Sequence, residues 1–367
     1  MIKLGIIGIG NMGTIHSQLI MDGKTPEIGL TAVADRDVKR REWAASNLTG
    51  VDIYTDGEEL INSGTCDSVL IAVPHYQHPE LTIKALNKGQ HVLCEKPSGV
   101  FTRQVREMNE AAEKTGLTFA LMFNQRTDCI YRKMKEIISS GELGEIKRVS
   151  WLITDWYRSQ YYYDSGNWRA TWNGEGGGVL LNQAPHNLDL LQWICGMPAR
   201  VHAFCHEGKW HDIEVEDDVT AYFEYPNGAT GVFITTTADT PGDNRFSITL
   251  DKGTLICEKG KLILHKLALS EREFCVTSMD PWAQPDYETT TIETDGLNPQ
   301  HEGVLNAFAS NILHGTPLVA EGKEGINSLT LSNAMYLSSW LNKTIEIPFD
   351  EDLYSELLSK KREKAGG

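Results

Sequence analysis

Three glycines and one aspartate have the types and spacing to hold a dinucleotide. Gly8, Gly10 and Gly13 stand in G-x-G-x-x-G register, with Ile9, Asn11 and Met12 between them. In that register the first glycine permits a sharp turn and the second lets backbone approach a pyrophosphate. The third lets a helix pack tightly on a strand, so that its N-terminal amides face the phosphates. Asp35 follows 22 residues after Gly13. An acidic residue about 20 residues on binds the ribose hydroxyls of NAD, and its charge repels the 2′-phosphate of NADP. Arg36, Arg40 and Arg41 lie close by and leave NADP open as an alternative cofactor.

Two further residues are candidates for chemistry. Lys96 sits in Glu95-Lys96-Pro97. The proline restricts the backbone before it and is the kind of residue that a cis peptide bond precedes. The plainer reading of a lone lysine is a solvated charge. His186 follows the glycine run Gly176-Gly177-Gly178 and lies beside Pro185, near the first turn of an expected helix. Asn182 is four residues before it and Asp189 three after, within reach on one helical face. A satisfied core histidine is the competing reading.

Between these motifs lies a segment dense in aromatic and polar groups, with Trp156, Tyr157, Arg158, Trp168, Arg169 and Trp172. Aromatic faces with fixed donors and acceptors suit a sugar or polyol. The same composition also suits an oligomer interface or a packed loop.

The elements that must position these residues divide the chain. Apolar strands are expected at 1–7, 29–34, 67–74, 91–94 and 117–122, alternating with helices from 14, at 38–48 and at 80–88. Strands in such alternation make a dinucleotide-binding domain over 1–123. In an open α/β sheet ligands bind at the carboxyl ends of the strands. Residues expected there are Pro74, His75, His78, Glu95, Lys96 and Gln125, which complete the cofactor-binding candidates. Loop polarity and helix capping are the alternatives for His75 and His78. After residue 123 the pattern changes. A helix at 129–140 leads to a strand at 146–153, and strands dominate 201–265, including a hairpin of 218–225 and 229–236 around Pro226-Asn227-Gly228. Helices at 300–313 and 325–341 and a short strand at 344–347 follow. This predicts a substrate-binding and oligomerisation α+β domain over 124–348 with a large, mostly antiparallel sheet, whose open face suits an oligomer. A tail, 349–367, is expected to fray from Lys360.

Composition sets bounds. The chain has 367 residues and a formal net charge of -16. That charge argues against nucleic acid and against a strongly anionic substrate, unless a local basic pocket exists. No run of about 18 apolar residues suggests a membrane span, and no signal-peptide pattern opens the chain. Seven cysteines, scattered and never in C-x-x-C, suit a reduced, cytoplasmic protein. His202, His206 and His211, with Glu207 and Asp212, are close in sequence, but no second cluster completes a site, so no metal is expected.

With these motifs together the chain resembles the Gfo/Idh/MocA family, named for glucose-fructose oxidoreductase and inositol dehydrogenase. The resemblance rests on the Gly8/Gly10/Gly13 fingerprint, on Glu95-Lys96-Pro97 and on the glycine run leading to His186-x-x-Asp189. It covers nearly the whole chain. It implies a Rossmann domain followed by an α+β domain that assembles dimers or tetramers through its sheet. It also implies reversible oxidation of a sugar or cyclitol hydroxyl by NAD or NADP, with Lys96 and His186 catalytic. The family's common pattern has an aspartate where this chain has Asn182, which can bind substrate but cannot ionise. Two other readings accompany this one: an enzyme that keeps and recycles its NAD while acting on glycosides through a transient keto intermediate, and a non-catalytic NAD-binding regulator.

Overall fold

A computed structural model describes residues 1–166 and 168–365. The chain forms two compact units, Met1–Thr127 with Asn173–Gly176 and Pro299–Leu329, and Asp128–Trp172 with Gly177–Asn298 and Thr330–Gly367.

The first unit is built on six parallel strands: β1 Ile2–Ile7, β2 Ile28–Ala34, β3 Asp52–Tyr54, β4 Ser68–Ile71, β5 His91–Cys94 and β6 Phe119–Leu121. Their order is β3-β2-β1-β4-β5-β6. The order reverses beside β1, and a doubly wound sheet binds its ligand at such a switch point. Buried on both faces, the strands read as continuous apolar runs, as parallel strands do. The core joins Ile2, Leu4, Ile6, Val33, Leu70 and Leu93 to Val304, Leu305, Phe308 and Ala309. Those last four lie on one face of the helix Gln300–His314. The expected domain over 124–348 included this helix, but its apolar face covers the parallel sheet.

The second unit carries nine strands: β7 Ile146–Ile153, β8 Arg200–Glu207, β9 Glu216–Glu224, β10 Thr230–Thr236, β11 Asn244–Leu250, β12 Gly253–Glu258, β13 Lys261–Leu267, β14 Tyr287–Thr291 and β15 Ile345–Glu346. The order is β14-β13-β12-β11-β7-β10-β9-β8-β15. Every pairing is antiparallel except β10 with β7. In β7 Val149, Trp151 and Ile153 alternate inward. Trp151 stacks on Phe246 with ring centres 4.1 Å apart, which fixes β7 against β11. The expected hairpin is present, with Thr230 opposite Glu224 across the turn. The stretch expected to fray is instead helical as far as Ala365, within the helix Glu351–Ala365, whose Tyr354 and Leu358 are buried. Gly366 and Gly367 lie outside the described residues.

Candidate active site

In the first unit the glycine loop joins β1 to the helix Asn11–Met21. Gly8 has φ +95°, and a Cβ there would stand 2.4 Å from the Ala72 carbonyl oxygen. A Cβ on Gly13 would stand 1.9 Å from the Gly8 carbonyl oxygen. Both glycines are required by the turn itself. Gly10 differs: nothing lies within 4 Å of its would-be Cβ. That open space borders a helix start that no side chain caps. Asn11 is exposed and Met12 half-buried on its first turn. Bare amides beside open space, at the positive end of a helix, fit a pyrophosphate.

Asp35 ends β2 and is oriented from both sides. Its Oδ2 accepts from the Ile9 amide at 2.7 Å and its Oδ1 from the Asp37 amide at 2.8 Å. Each oxygen keeps a lone pair for a ribose hydroxyl. Arg41 donates to the carbonyls of Asp35 and Arg36 at 2.7 and 2.9 Å, so its charge is engaged close to its own loop. Arg36 is exposed and Pro74 half-buried.

The other expected cofactor contacts divide. His75 is buried and donates through Nδ1 to the Glu175 carbonyl at 3.0 Å. His78 belongs to the helix Gln77–Asn87, which starts earlier than expected because Pro79 is tolerated in a first turn. Its Nδ1 and Nε2 each stand 2.7 Å from a backbone oxygen, of Pro97 and Val73. With both nitrogens so engaged, His78 braces the turn after Lys96. Gln125 donates to Gln300 Oε1 at 3.2 Å.

Glu95 is engaged inside the unit. It is buried, and its carboxylate accepts from His16 Nε2 at 2.8 Å and from the Lys96 amide at 3.1 Å. Burial opposes ionisation, but His16, Lys96 and His301 outweigh it and hold the carboxyl at about 2. The His16 and His301 rings meet edge to face, 5.4 Å apart. Glu95 therefore supports the Lys96–Pro97 turn, whose peptide bond is cis. Sequence reasoning missed His16 and His301. The only signal was that His16 lies three residues after Gly13, on the helix face that packs inward.

In the second unit the helix Pro185–Cys195 carries His186 in its first turn, half-buried. Asn182 precedes that helix in a turn, so it does not share its face. Its Nδ2 donates to the Tyr162 hydroxyl at 3.2 Å. Asp189 is buried, with Oδ1 accepting from Gln192 at 3.1 Å on the same helix. Trp172 is also buried. Its indole donates to the Glu214 carbonyl at 2.9 Å and packs on Tyr336 and Trp340, so it belongs to the core. Trp156, Arg158, Trp168 and Arg169 are half-buried and Tyr157 is exposed.

The loop feeding His186 is held by Glu216, which sequence reasoning did not single out. Fully buried, Glu216 accepts from the Gly178 and Leu180 amides, both at 2.9 Å, and from Tyr336 at 2.7 Å. Burial pushes its carboxyl up to about 7 despite these donors. A Cβ on Gly178 would stand 2.0 Å from the Glu216 carbonyl oxygen, so the close approach needs glycine. His202, His206 and His211 point to separate partners, Thr344, Asp218 and Asp217. Among the described residues no group of three or more His, Cys, Asp or Glu could hold a metal ion, and no helix is long and apolar enough to cross a membrane.

Comparison with known proteins gives the family and the fold. Residues 2–123 match the model of the oxidoreductase family with an NAD-binding Rossmann fold, and residues 131–256 that of the GFO/IDH/MocA C-terminal domain. Trans-1,2-dihydrobenzene-1,2-diol dehydrogenase of Mus musculus is 30% identical over 63% of this chain and 67% of its own length. Myo-inositol 2-dehydrogenase of Thermotoga maritima is 24% identical over 90% of this chain and 94% of its own. The crystal structure of the WlbA dehydrogenase from Bordetella pertussis, in complex with NADH and UDP-GlcNAcA, shares the fold. It has a TM-score of 0.79 and 24% identity, and the match covers 95% of this chain and 99% of that one. A Rossmann domain with the NAD fingerprint, followed by this mixed sheet and these two motifs, makes the chain a member of the Gfo/Idh/MocA family of NAD-binding oxidoreductases.

Proposed function

We propose that the chain is an NAD-dependent dehydrogenase that reversibly oxidises a secondary hydroxyl of a sugar, glycoside or cyclitol. The observation that carries this reading is that one chain has both an NAD-binding domain, with Asp35 fixed at the end of β2, and the motif residues Lys96 and His186. A binding module has no need of the last two. The substrate class is supported by the relatives, whose names carry a cyclitol and a diol, and by the nucleotide sugar bound to the WlbA dehydrogenase.

NAD, held by Gly8, Gly10, Gly13 and Asp35, supplies the hydride acceptor. Lys96 donates a hydrogen bond to the reacting hydroxyl oxygen and stabilises negative charge there. His186 takes the hydroxyl proton as general base. Asn182 orients substrate through its amide and offers no ionisable group to the proton path. A cytoplasmic location and a homodimer or homotetramer belong to the same reading. The oligomer is supported by Phe204 and Tyr222, which are 50% and 42% exposed on the neighbouring strands β8 and β9.

The test is nicotinamide absorbance on mixing the protein with excess NAD and a panel of inositols, free sugars and glucosides. Sustained growth of the NADH signal with one class is expected. Silence across the panel from protein that arrives with NAD already bound would replace this reading with the recycling enzyme or the regulator, which product analysis would separate.

A further inference from the structure

The geometry points to an anion-binding subsite in the second unit, formed by Arg158 and Arg169 at the Tyr162 ring, that takes an acidic substituent of the substrate, as on a sugar acid or a sugar phosphate. This rests on the reading of the chain as a sugar or cyclitol dehydrogenase and narrows its substrate class.

The cluster holds donors almost to the exclusion of acceptors. The Arg158 guanidinium carbon lies 5.2 Å from the Tyr162 ring centre and 6.0 Å from that of Trp156. The Arg169 guanidinium carbon lies 4.8 Å from the Tyr162 centre and 4.5 Å from that of Trp168. The Tyr162 hydroxyl oxygen accepts from Arg169 at 3.0 Å, from Asn182 at 3.2 Å and from Gln183 at 3.4 Å. Arg158 donates to the carbonyls of Trp156 and Tyr157 at 3.4 and 2.9 Å. Among the described residues neither guanidinium is paired with a carboxylate, and the buried Trp156 Nε1 has no acceptor.

That arrangement runs against the composition. The chain has 50 acidic and 34 basic residues, so an arginine has carboxylates in ample supply. Two half-buried cations against one ring repel each other, and an anion bound between them removes that penalty. A guanidinium also presents a planar fork matched to carboxylate or phosphate oxygens. Asn182 is consistent with this. A carboxylate at that position would put a negative charge beside the Tyr162 hydroxyl and oppose an acidic substrate, whereas the amide adds another donor.

The subsite is also rigidly built. The Arg158 amide donates to the Thr237 carbonyl at 2.9 Å. The Arg158 carbonyl accepts from His211 Nε2 at 2.9 Å, and His211 Nδ1 stands 2.9 Å from the buried Asp217. The nearest acidic side chains along the segment are used or turned outward: Asp164 accepts from Gln160, Glu214 accepts from the Trp172 amide, and Asp155 is exposed. The net charge of -16 repels anions at long range, so local cations are what an acidic substrate would need.

The test is calorimetric binding, with and without NAD, of hexuronates, aldonates and hexose 6-phosphates beside their neutral counterparts, the hexoses and the uronate methyl esters. At least one acid should bind roughly tenfold or more tightly than its neutral partner, and the margin should shrink with salt. R158Q and R169Q should each remove most of it while keeping the melting temperature and circular dichroism of the natural protein, which report an intact fold. A preference for phosphates over uronates and aldonates assigns the substituent as phosphate, and the reverse as carboxylate. Neutral compounds binding as well as acids, a preference that survives both substitutions, or no acid binding at all would overturn the subsite. Failure of the dehydrogenase reading looks different: an acid binds and loses affinity in the variants, yet yields no NADH.

Discussion

The carboxylate of Glu95 accepts a 2.8 Å hydrogen bond from Nε2 of His16 in an interior where the two are 6% and 0% exposed. His16 stands on the helix that the glycine loop opens, and Glu95 immediately precedes Lys96. One buried hydrogen bond thus ties the two halves of the cofactor-binding machinery of this unit.

The pair has a pH signature. Glu95 titrates at about 2 in the folded chain against an ordinary 4.5. A depressed carboxyl contributes stability that is present above its unfolded value and lost as pH falls through its folded one. Here that window runs from about 4.5 down to about 2, and the contribution is about 3 kcal/mol. Glu95→Gln should melt below the natural protein at pH 7, and the gap should close as pH falls through that window. A gap that stays constant with pH would sink the assignment.

Gly10 and Gly13 should fail in opposite ways. Gly10→Ala adds a methyl into open space at φ -71°, which alanine accepts. Its melting temperature should hold, while its Kd for NADH rises roughly tenfold or more because the methyl stands where phosphate must approach. Gly13→Ala drives a methyl to 1.9 Å from the Gly8 carbonyl. It should lose several kcal/mol of stability, an overpacking cost at the upper end of what cores show. Fluorescence titration of NADH and thermal melts separate the two. Equal loss of stability in both would refute the distinction.

Asp35 should govern the choice of cofactor. Asp35→Ala removes the ribose acceptor and the charge that repels a 2′-phosphate. Affinity for NADH should fall about tenfold, and the margin over NADPH should narrow. Asp35→Asn keeps an acceptor for one amide and should fall between. An unchanged ratio of the two dissociation constants would take Asp35 out of cofactor selection.

Lys96→Met and His186→Gln should each lower kcat by a factor of roughly 100 or more on whichever substrate the panel identifies. NADH binding should survive the His186 change. Near-natural turnover in either variant would remove that residue from the proton-transfer machinery.

What could be read from the sequence was local. The strand and helix on either side of the glycine turn are fixed by period and by glycine chemistry within twenty residues; both are present, the helix opening at Asn11, three residues before the expected start. What the sequence did not show is decided by partners far along the chain. Trp172 is indistinguishable in sequence from its neighbour Trp168, but Tyr336 and Trp340 close over it. The helix Gln300–His314 shows an apolar face, yet nothing local says which sheet it covers. β7 reads as a strand, but its place between β10 and β11, with one parallel neighbour, depends on the packing of Trp151 against Phe233 and Phe246. An acid in an alternating strand, like Glu216, carries no mark of burial until the glycine loop is seen against it.

Glu216 yields the opposite pH dependence from Glu95. Burial raises its folded pKa to about 7 from an ordinary 4.5. Between those values the folded chain keeps a proton that the unfolded chain has released, so this group's contribution to stability falls as pH rises, by about 3 kcal/mol in all. Glu216→Gln stays neutral throughout. It gives up one acceptor to the Gly178 and Leu180 amides, a loss that does not vary with pH. The melting temperature of the variant relative to the natural protein should therefore climb between pH 5 and pH 8. Because this carboxylate holds the loop that leads into His186, kcat of the variant should also lose part of its pH dependence over the same range. Parallel melting profiles across that range would show that Glu216 does not titrate there.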